Sequence, residues 1–347
     1  MFQIESFSLH PAASTLILNG DLTSYFHLDE LSDYESYFHE QLPPNIKWYY
    51  PSLGNHDYEN NIEDTSFFGD EWTFIPSVGT GCNALHAMQY MRCGIARSTI
   101  PKFDARTLTS YDSGSLSYSV DRGRFHFIHV HYFPSYHSYK LGLQNCLAWV
   151  YGDIVEARSR GQKVILITHN AANLPWTENE AAFVAAGERM FIRYQLDACC
   201  SNIFRLPSLA GGVDLVFSGH LHRCLGLACD WPVRDSRWDA SPCSKGFKQH
   251  DMSENGGGQA YWYDQEGEFT CRRLAVSHAG DRLSFAGGLV VWSGSSSYQN
   301  YLKATFQDEG VRVEAFSSAG GGATKVVGGD KVHPFHTEDD LDFVIAM

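Results

Sequence analysis

The sequence predicts an α/β fold in which helices cover mixed β-sheets, and three observations carry that prediction. Four apolar runs of strand length each end in a polar cluster. They are Thr15–Asn19 before Gly20-Asp21, Lys47–Leu53 before Gly54-Asn55-His56-Asp57, Val164–Thr168 before His169, and Val213–Ser218 before Gly219-His220-Leu221-His222. Segments of helical period lie between several of them. A pair of strand-like runs separated by a turn sequence sits in the middle of the chain. Open α/β sheets place ligand sites outside the carboxyl ends of their strands, so four such exits point to one pocket.

The elements follow in order. Leu28, Leu31, Tyr34, Phe38 and Leu42 recur at helical spacing and predict a helix that stops at Pro43-Pro44, because proline lacks the amide hydrogen a helix interior needs. Ser115–Val120 and Phe125–Val130 flank Asp121-Arg122-Gly123-Arg124, the pattern of a β-hairpin. Leu143, Leu147, Val150, Ile154 and Val155 predict an amphipathic helix before Gly161, feeding the strand that ends at His169. Residues 178–200, rich in alanine, read as another helix. From 223 to 284 no period is sustained, and prolines, tryptophans and Gly256-Gly257-Gly258 mark an irregular insertion. Strand-like alternation returns at Gly288–Trp292, Tyr298–Phe306 and Val311–Phe316, which suits strands closing the main sheet. The resulting division is a core over 1–222, an insertion over 223–284, closing strands over 285–316, and a tail over 317–347 that is Gly-rich and acidic.

Composition narrows the function. The 347 residues, 44% of them hydrophobic, suffice for a large core. A formal charge of -14, from 26 basic and 40 acidic residues, argues against binding a nucleic-acid duplex, which requires clustered cations. Apolar stretches stay short of the ~20 residues needed to cross a bilayer. The start, Met1-Phe2-Gln3-Ile4-Glu5, lacks the cationic and apolar regions of a signal peptide, so secretion is expected only if the chain continues upstream. Nine cysteines without a CxxC pair suggest neither structural zinc nor a redox site; those at 224, 229, 243 and 271 are candidates for bridging within the insertion.

The residues at the strand exits have the chemistry of metal ligands. Asp21 carries two carboxylate oxygens and can bridge two cations, Asn55 offers a neutral amide oxygen, and His169 and His220 offer imidazole nitrogens. That mixture suits a first-row ion such as Mn, Fe or Zn better than Ca. His222, two positions beyond His220, projects to the same side of an extended strand end. Taken singly, a Gly-Asp is a turn and a strand-end histidine is a packed core residue; their order is what raises them. His131 and His129 flank Val130 on the hairpin, and His131 is a candidate for the substrate pocket beside its alternative as a structural histidine.

In order and spacing, Gly20-Asp21, Gly54-Asn55-His56-Asp57, His169 and Gly219-His220-Leu221-His222 resemble the calcineurin-like metallophosphoesterases. The resemblance implies a four-layer α-β-β-α sandwich of two mixed sheets, with two divalent ions at the carboxyl ends of the strands. It implies hydrolysis of a phosphomonoester or phosphodiester by metal-activated water, on a phosphorylated small molecule or a lipid headgroup. His56 would protonate the leaving oxygen, with Asp57 orienting its imidazole. The family's Asp-x-His motif, expected on a strand before Gly20-Asp21, is absent from residues 1–14, so either that strand lies outside this sequence or one metal site is damaged. A binding protein that keeps the fold with an incomplete site is the alternative to an enzyme. A purple acid phosphatase would place tyrosine three positions after the bridging Asp, whereas position 24 is Ser and the tyrosine is Tyr25.

Overall fold

The computed structural model describes residues 13–59, 82–132, 134, 136–138, 141–170, 213–220, 225–226, 247–251, 259–263, 289–293, 300–308, 310–318, 323–325 and 342–346. Two compact units contain them, one within Leu9–Asn170 and the other within Ala171–Met347. The helix expected over 178–200, His222 and the candidate bridging cysteines lie outside the described residues.

In the first unit, β1 (Thr15–Asn19) runs parallel to β2 (Trp48–Ser52), in register from Thr15 opposite Trp48 to Asn19 opposite Ser52. The two exits that carry Asp21 and Asn55 therefore leave side by side at the same level. Their connection holds α1 (Leu28–Glu35) and a π-type turn at Ser36–Glu40, which ends ahead of Pro43-Pro44 as predicted. The Glu30 carboxylate caps the start of α1 by accepting from the backbone N–H groups of Tyr25 (2.8 Å) and His27 (3.2 Å). A helix missed in the sequence, α2 (Cys82–Arg97), buries Ala84, Ala87, Met88, Met91 and Ile95 along one stripe.

The same unit contains β3 (Leu108–Tyr111), β4 (Tyr118–Arg122) and β5 (Phe125–His129), antiparallel in that order, and β6 (Lys163–Thr168), parallel to β5. Arg122 faces Phe125 across a two-residue turn in which Gly123 takes φ 60°, a conformation glycine adopts without strain. Helix α3 (Leu147–Ser159) buries Leu147, Val150, Ile154 and Ala157 and delivers the chain through Gly161 to β6, all of whose residues after Lys163 are buried. Such two-sided burial is what a continuous Val/Ile/Leu run provides.

The second unit contains β7 (Leu215–Ser218), β8 (Leu225–Gly226), β9 (Phe247–Asp251), β10 (Gln259–Tyr263) and β11 (Leu289–Ser293). β11 pairs with β7 in parallel and with β8 antiparallel, and β9 pairs with β10. The stretch 223–284 thus carries strands where only irregular chain was expected. β12 (Asn300–Gln307) and β13 (Gly310–Ser317) correct a second expectation. Instead of closing the main sheet, they pair with each other, while β14 (Thr324–Lys325) and β15 (Asp342–Ala346) add to β13. Val311, Val313 and Ala315 bury one face of β13. On the other, Arg312 and Glu314 join Lys303, Lys325 and Asp342 in cross-strand ion pairs that recruit the tail. Among the described residues no helix is long and apolar enough to cross a membrane.

One buried charge cluster ties the hairpin to α3. The His126 ring joins Asp121 through Nδ1 (2.6 Å) and Asp153 through Nε2 (2.7 Å). Burial lowers its pKa, but the two carboxylates outweigh burial and hold the value above its ordinary 6.5. A raised folded pKa contributes stability that is full below pH 6.5 and disappears as pH climbs through the raised value. We expect the melting temperature to fall with pH on that alkaline side. His126→Leu, which takes the imidazole partner from the buried Asp153 carboxylate at a cost of about 3 kcal/mol near neutrality, should abolish this component of the pH dependence. Identical pH profiles for both proteins would show that His126 is not charged in the fold.

Candidate metal centre

The site begins with two glycines. Gly20 leaves β1 with φ 83° and Asp21 follows at φ 50°, so the chain turns sharply and presents the Asp21 carboxylate beyond the strand ends. A Cβ on Gly20 would sit 2.8 Å from the Cβ of His169, and one on Gly54 would sit 2.9 Å from the Asp21 carboxyl carbon and closer still to the Asp21 backbone nitrogen. The Gly-Asp and Gly-Asn pairs are thus steric requirements, because three chain segments approach at backbone distance.

His169 is placed by the β5–β6 ladder, which continues past both strands. The backbone N–H of Val130 donates to Ile167, that of His169 to the His131 carbonyl (3.0 Å), and that of Asn170 to the Tyr132 carbonyl (2.9 Å). The ring's Nδ1 lies 2.7 Å from the Asn19 carbonyl, which can only accept, so Nδ1 carries hydrogen. In the neutral ring, Nε2 then directs a lone pair at Asn55 Oδ1 (3.0 Å) and Asp21 Oδ2 (3.2 Å). Carboxylate oxygen, amide oxygen and imidazole nitrogen therefore converge, and such a set repels itself unless a proton or a cation stands among them. Burial lowers the His169 pKa, yet the Asp21 charge and the Asn19 carbonyl raise it overall, which is how a proton fills that role. A divalent cation fits the same donors, a neutral-imidazole, amide and carboxylate mixture suited to a first-row ion, and would displace the proton.

His56 and Asp57 lie in the π-type turn Asn55–Glu59 that follows β2. The His56 backbone N–H donates to Asp21 Oδ1 (3.0 Å), steadying the carboxylate, and its ring Nδ1 lies 3.3 Å from the Ser24 carbonyl. Asp57, fully buried, does what the sequence did not reveal. Its two oxygens accept backbone N–H groups from Gly54 (2.8 Å), Leu22 (3.0 Å) and Thr23 (2.9 Å), binding the two motif loops to each other. Burial and the Asp21 charge push its pKa up, against the pull of those three donors.

Of the two readings the sequence leaves open for His131, its surroundings fit the structural one, a buried strut. Its Nδ1 accepts the Leu53 backbone N–H (2.9 Å) and its Nε2 donates to the Leu116 carbonyl (2.9 Å), so both ring nitrogens are committed. Burial drops its pKa to about 4, keeping it neutral. His129 is also interior, stacked on Tyr118 with ring centroids 4.7 Å apart. The first unit thus brings together Asp21, Asn55, His56, Asp57 and His169. His220 belongs to the second unit, at the exit of β7, with φ 64°, an unusual backbone conformation for a histidine. The Asn19 and Leu116 carbonyls were not foreseen, because a main-chain acceptor leaves no mark in a sequence.

The family model described as calcineurin-like phosphoesterase matches residues 4–224. No curated protein matches the chain.

Gly54→Ala tests the steric argument. The added methyl group must displace Asp21, so affinity for Mn²⁺ measured by calorimetry should fall at least about tenfold. Gly152→Ala, inside α3 with open space around it, should instead stabilise the fold by about 0.5–1 kcal/mol. Unchanged Mn²⁺ affinity in Gly54→Ala would mean that Asp21 is not a ligand.

Proposed function

The chain belongs to the calcineurin-like phosphoesterases, whose fold serves metal-dependent phosphoester hydrolysis, and on that premise we propose that it hydrolyses a phosphoric ester at Asp21, Asn55, His56 and His169. The single observation that supports this most is the convergence of Asp21 Oδ2, Asn55 Oδ1 and His169 Nε2, three electron-pair donors with no hydrogen to share among them once His169 is neutral.

These three residues would hold a divalent cation of the Mn, Fe or Zn kind. His220 and His222 stay in the proposed ligand set on the family resemblance alone, as do a second cation and the four-layer arrangement of sheets and helices. When bound, the cation supplies positive charge to the phosphoryl oxygens and lowers the pKa of water. The remaining work falls to the chain. Asp57 holds the Leu22–Thr23 and Gly54 loops together, so Asp21 and Asn55 keep their separation as substrate arrives. Asn19, through its carbonyl, fixes the tautomer of His169 with Nε2 outward. His56 presents a half-buried ring with Nδ1 3.3 Å from the Ser24 carbonyl, and in its protonated form that ring would give a proton to the departing oxygen. The substrate class is a phosphorylated small molecule or a lipid headgroup, as a monoester or a diester.

A panel of p-nitrophenyl phosphate, its bis-ester and alkyl phosphates, assayed with Mn²⁺, tests the reading. Wild-type protein should turn over at least one of them. Asp21→Asn should lose cation and turnover together, whereas His56→Ala should keep the cation and lose turnover by ~10²-fold or more, least on p-nitrophenyl esters whose leaving group needs no proton. Bound Mn²⁺ without turnover of any ester would favour the binding-protein alternative, and equal losses in His56→Ala on good and poor leaving groups would remove the proton-donor role.

A further inference from the structure

Tyr25 is a large aromatic residue that the fold holds rigidly in the open. Its side chain is 46% exposed, although it lies only four residues beyond Asp21. The loop that carries it is pinned at nearly every step. Leu22 and Thr23 donate to Asp57, Phe26 donates to the Thr23 hydroxyl (2.7 Å), and Tyr25 itself donates its backbone N–H to Glu30 (2.8 Å). Phe26 takes φ 57° and is fully buried, which turns its side chain inward and leaves its neighbour outside. A tyrosine on a loose loop could fold its ring onto the surface; this one is held by its backbone.

The ring has defined neighbours. It lies nearly parallel to the His27 ring, with centroids 5.5 Å apart and planes inclined by 20°, so one side is backed by an imidazole that is itself buried. It stands edge-to-face with His56, with centroids 6.5 Å apart and planes inclined by 76°. The exposed aromatic ring therefore borders the residue assigned to the leaving oxygen. Aromatic rings recognise flat partners by offset or edge-to-face packing, and a preorganised ring does so without loss of conformational freedom.

Resting on the phosphoesterase reading, we propose that Tyr25 is the wall of the leaving-group subsite and selects phosphoric esters whose leaving group carries a flat aromatic ring. The juxtaposition predicts a specificity contact and no chemical step: Tyr25 packs against the leaving group while His56 serves its oxygen.

Benzyl phosphate and ethyl phosphate test this, because both release a poor alkoxide and differ chiefly in the ring. The non-hydrolysable benzylphosphonate and ethylphosphonate, titrated by calorimetry in the presence of Mn²⁺, report binding apart from turnover. Wild-type protein should prefer the benzyl compound in both assays. Tyr25→Ala should lower the benzyl-to-ethyl ratio of kcat/KM and of affinity by about tenfold, the size of one aromatic packing contact, and Tyr25→Phe should restore both ratios. Equal losses on benzyl and ethyl compounds, no wild-type preference, or failure of Phe to restore the ratio would overturn the proposal. A visible charge-transfer band with Fe³⁺ that vanishes in Tyr25→Phe would also overturn it, by making Tyr25 a ligand. Should wild-type protein hydrolyse neither of these monoesters nor any ester of the p-nitrophenyl and alkyl panel, the enzyme reading fails, and the phosphonate titrations still decide the role of Tyr25.

Discussion

Three atoms with electron pairs to give and none to receive meet in the interior of the first unit, and much of that unit is arranged to keep them there. Asp21 Oδ2 and Asn55 Oδ1 each lie about a hydrogen-bond length from His169 Nε2, at 3.2 and 3.0 Å. Left to itself such a triad would separate, because a buried carboxylate and a buried amide oxygen both need a positive partner. The arrangement holds because the backbone around it is over-determined: Asn19 fixes the His169 ring, and Asp57 gathers three amide hydrogens from two loops.

His131 extends that frame into the sheet. By accepting from Leu53 and donating to Leu116, it links the exit of β2 to the approach of β4, and its own carbonyl receives the amide of His169. The strand pairs β1–β2 and β5–β6, which have no ladder between them in the pairing described, are thus coupled by one neutral imidazole just below the site. A neutral ring is required there, since an imidazolium could not accept the Leu53 hydrogen; burial secures it by lowering the pKa to about 4. The same side chain type serves opposite ends at positions 131 and 169, one kept neutral to join backbones and one whose pKa the Asp21 charge and the Asn19 carbonyl raise despite its burial.

Much of this was legible. β1 was read at its true bounds, and Asn55 and His169 were placed at strand exits, because an apolar run followed by glycine and a ligand-type residue is a local signal. What escaped was long-range or low in contrast. Helix α2 buries alanines and methionines among His86, Gln89 and Arg92, a stripe too weak in hydrophobic contrast to stand out. Strand β15 is five residues beside an acidic cluster and acquires its meaning only from β13, which it joins through Arg312 and Asp342. His131 alternates with His129 in the sequence as a ligand pair would, and only its two backbone partners, Leu53 and Leu116, distinguish a strut from a pocket wall.

The convergence of Asp21, Asn55 and His169 on one cation is most directly tested by anomalous diffraction at the manganese edge from crystals grown with Mn²⁺. The account expects a peak about 2.0–2.3 Å from Asp21 Oδ2, Asn55 Oδ1 and His169 Nε2 together, with Nδ1 of His169 still bound to the Asn19 carbonyl. A map with no peak among these atoms, and the His169 ring still within hydrogen-bond distance of both oxygens, would contradict it and leave a proton in the place assigned to the cation.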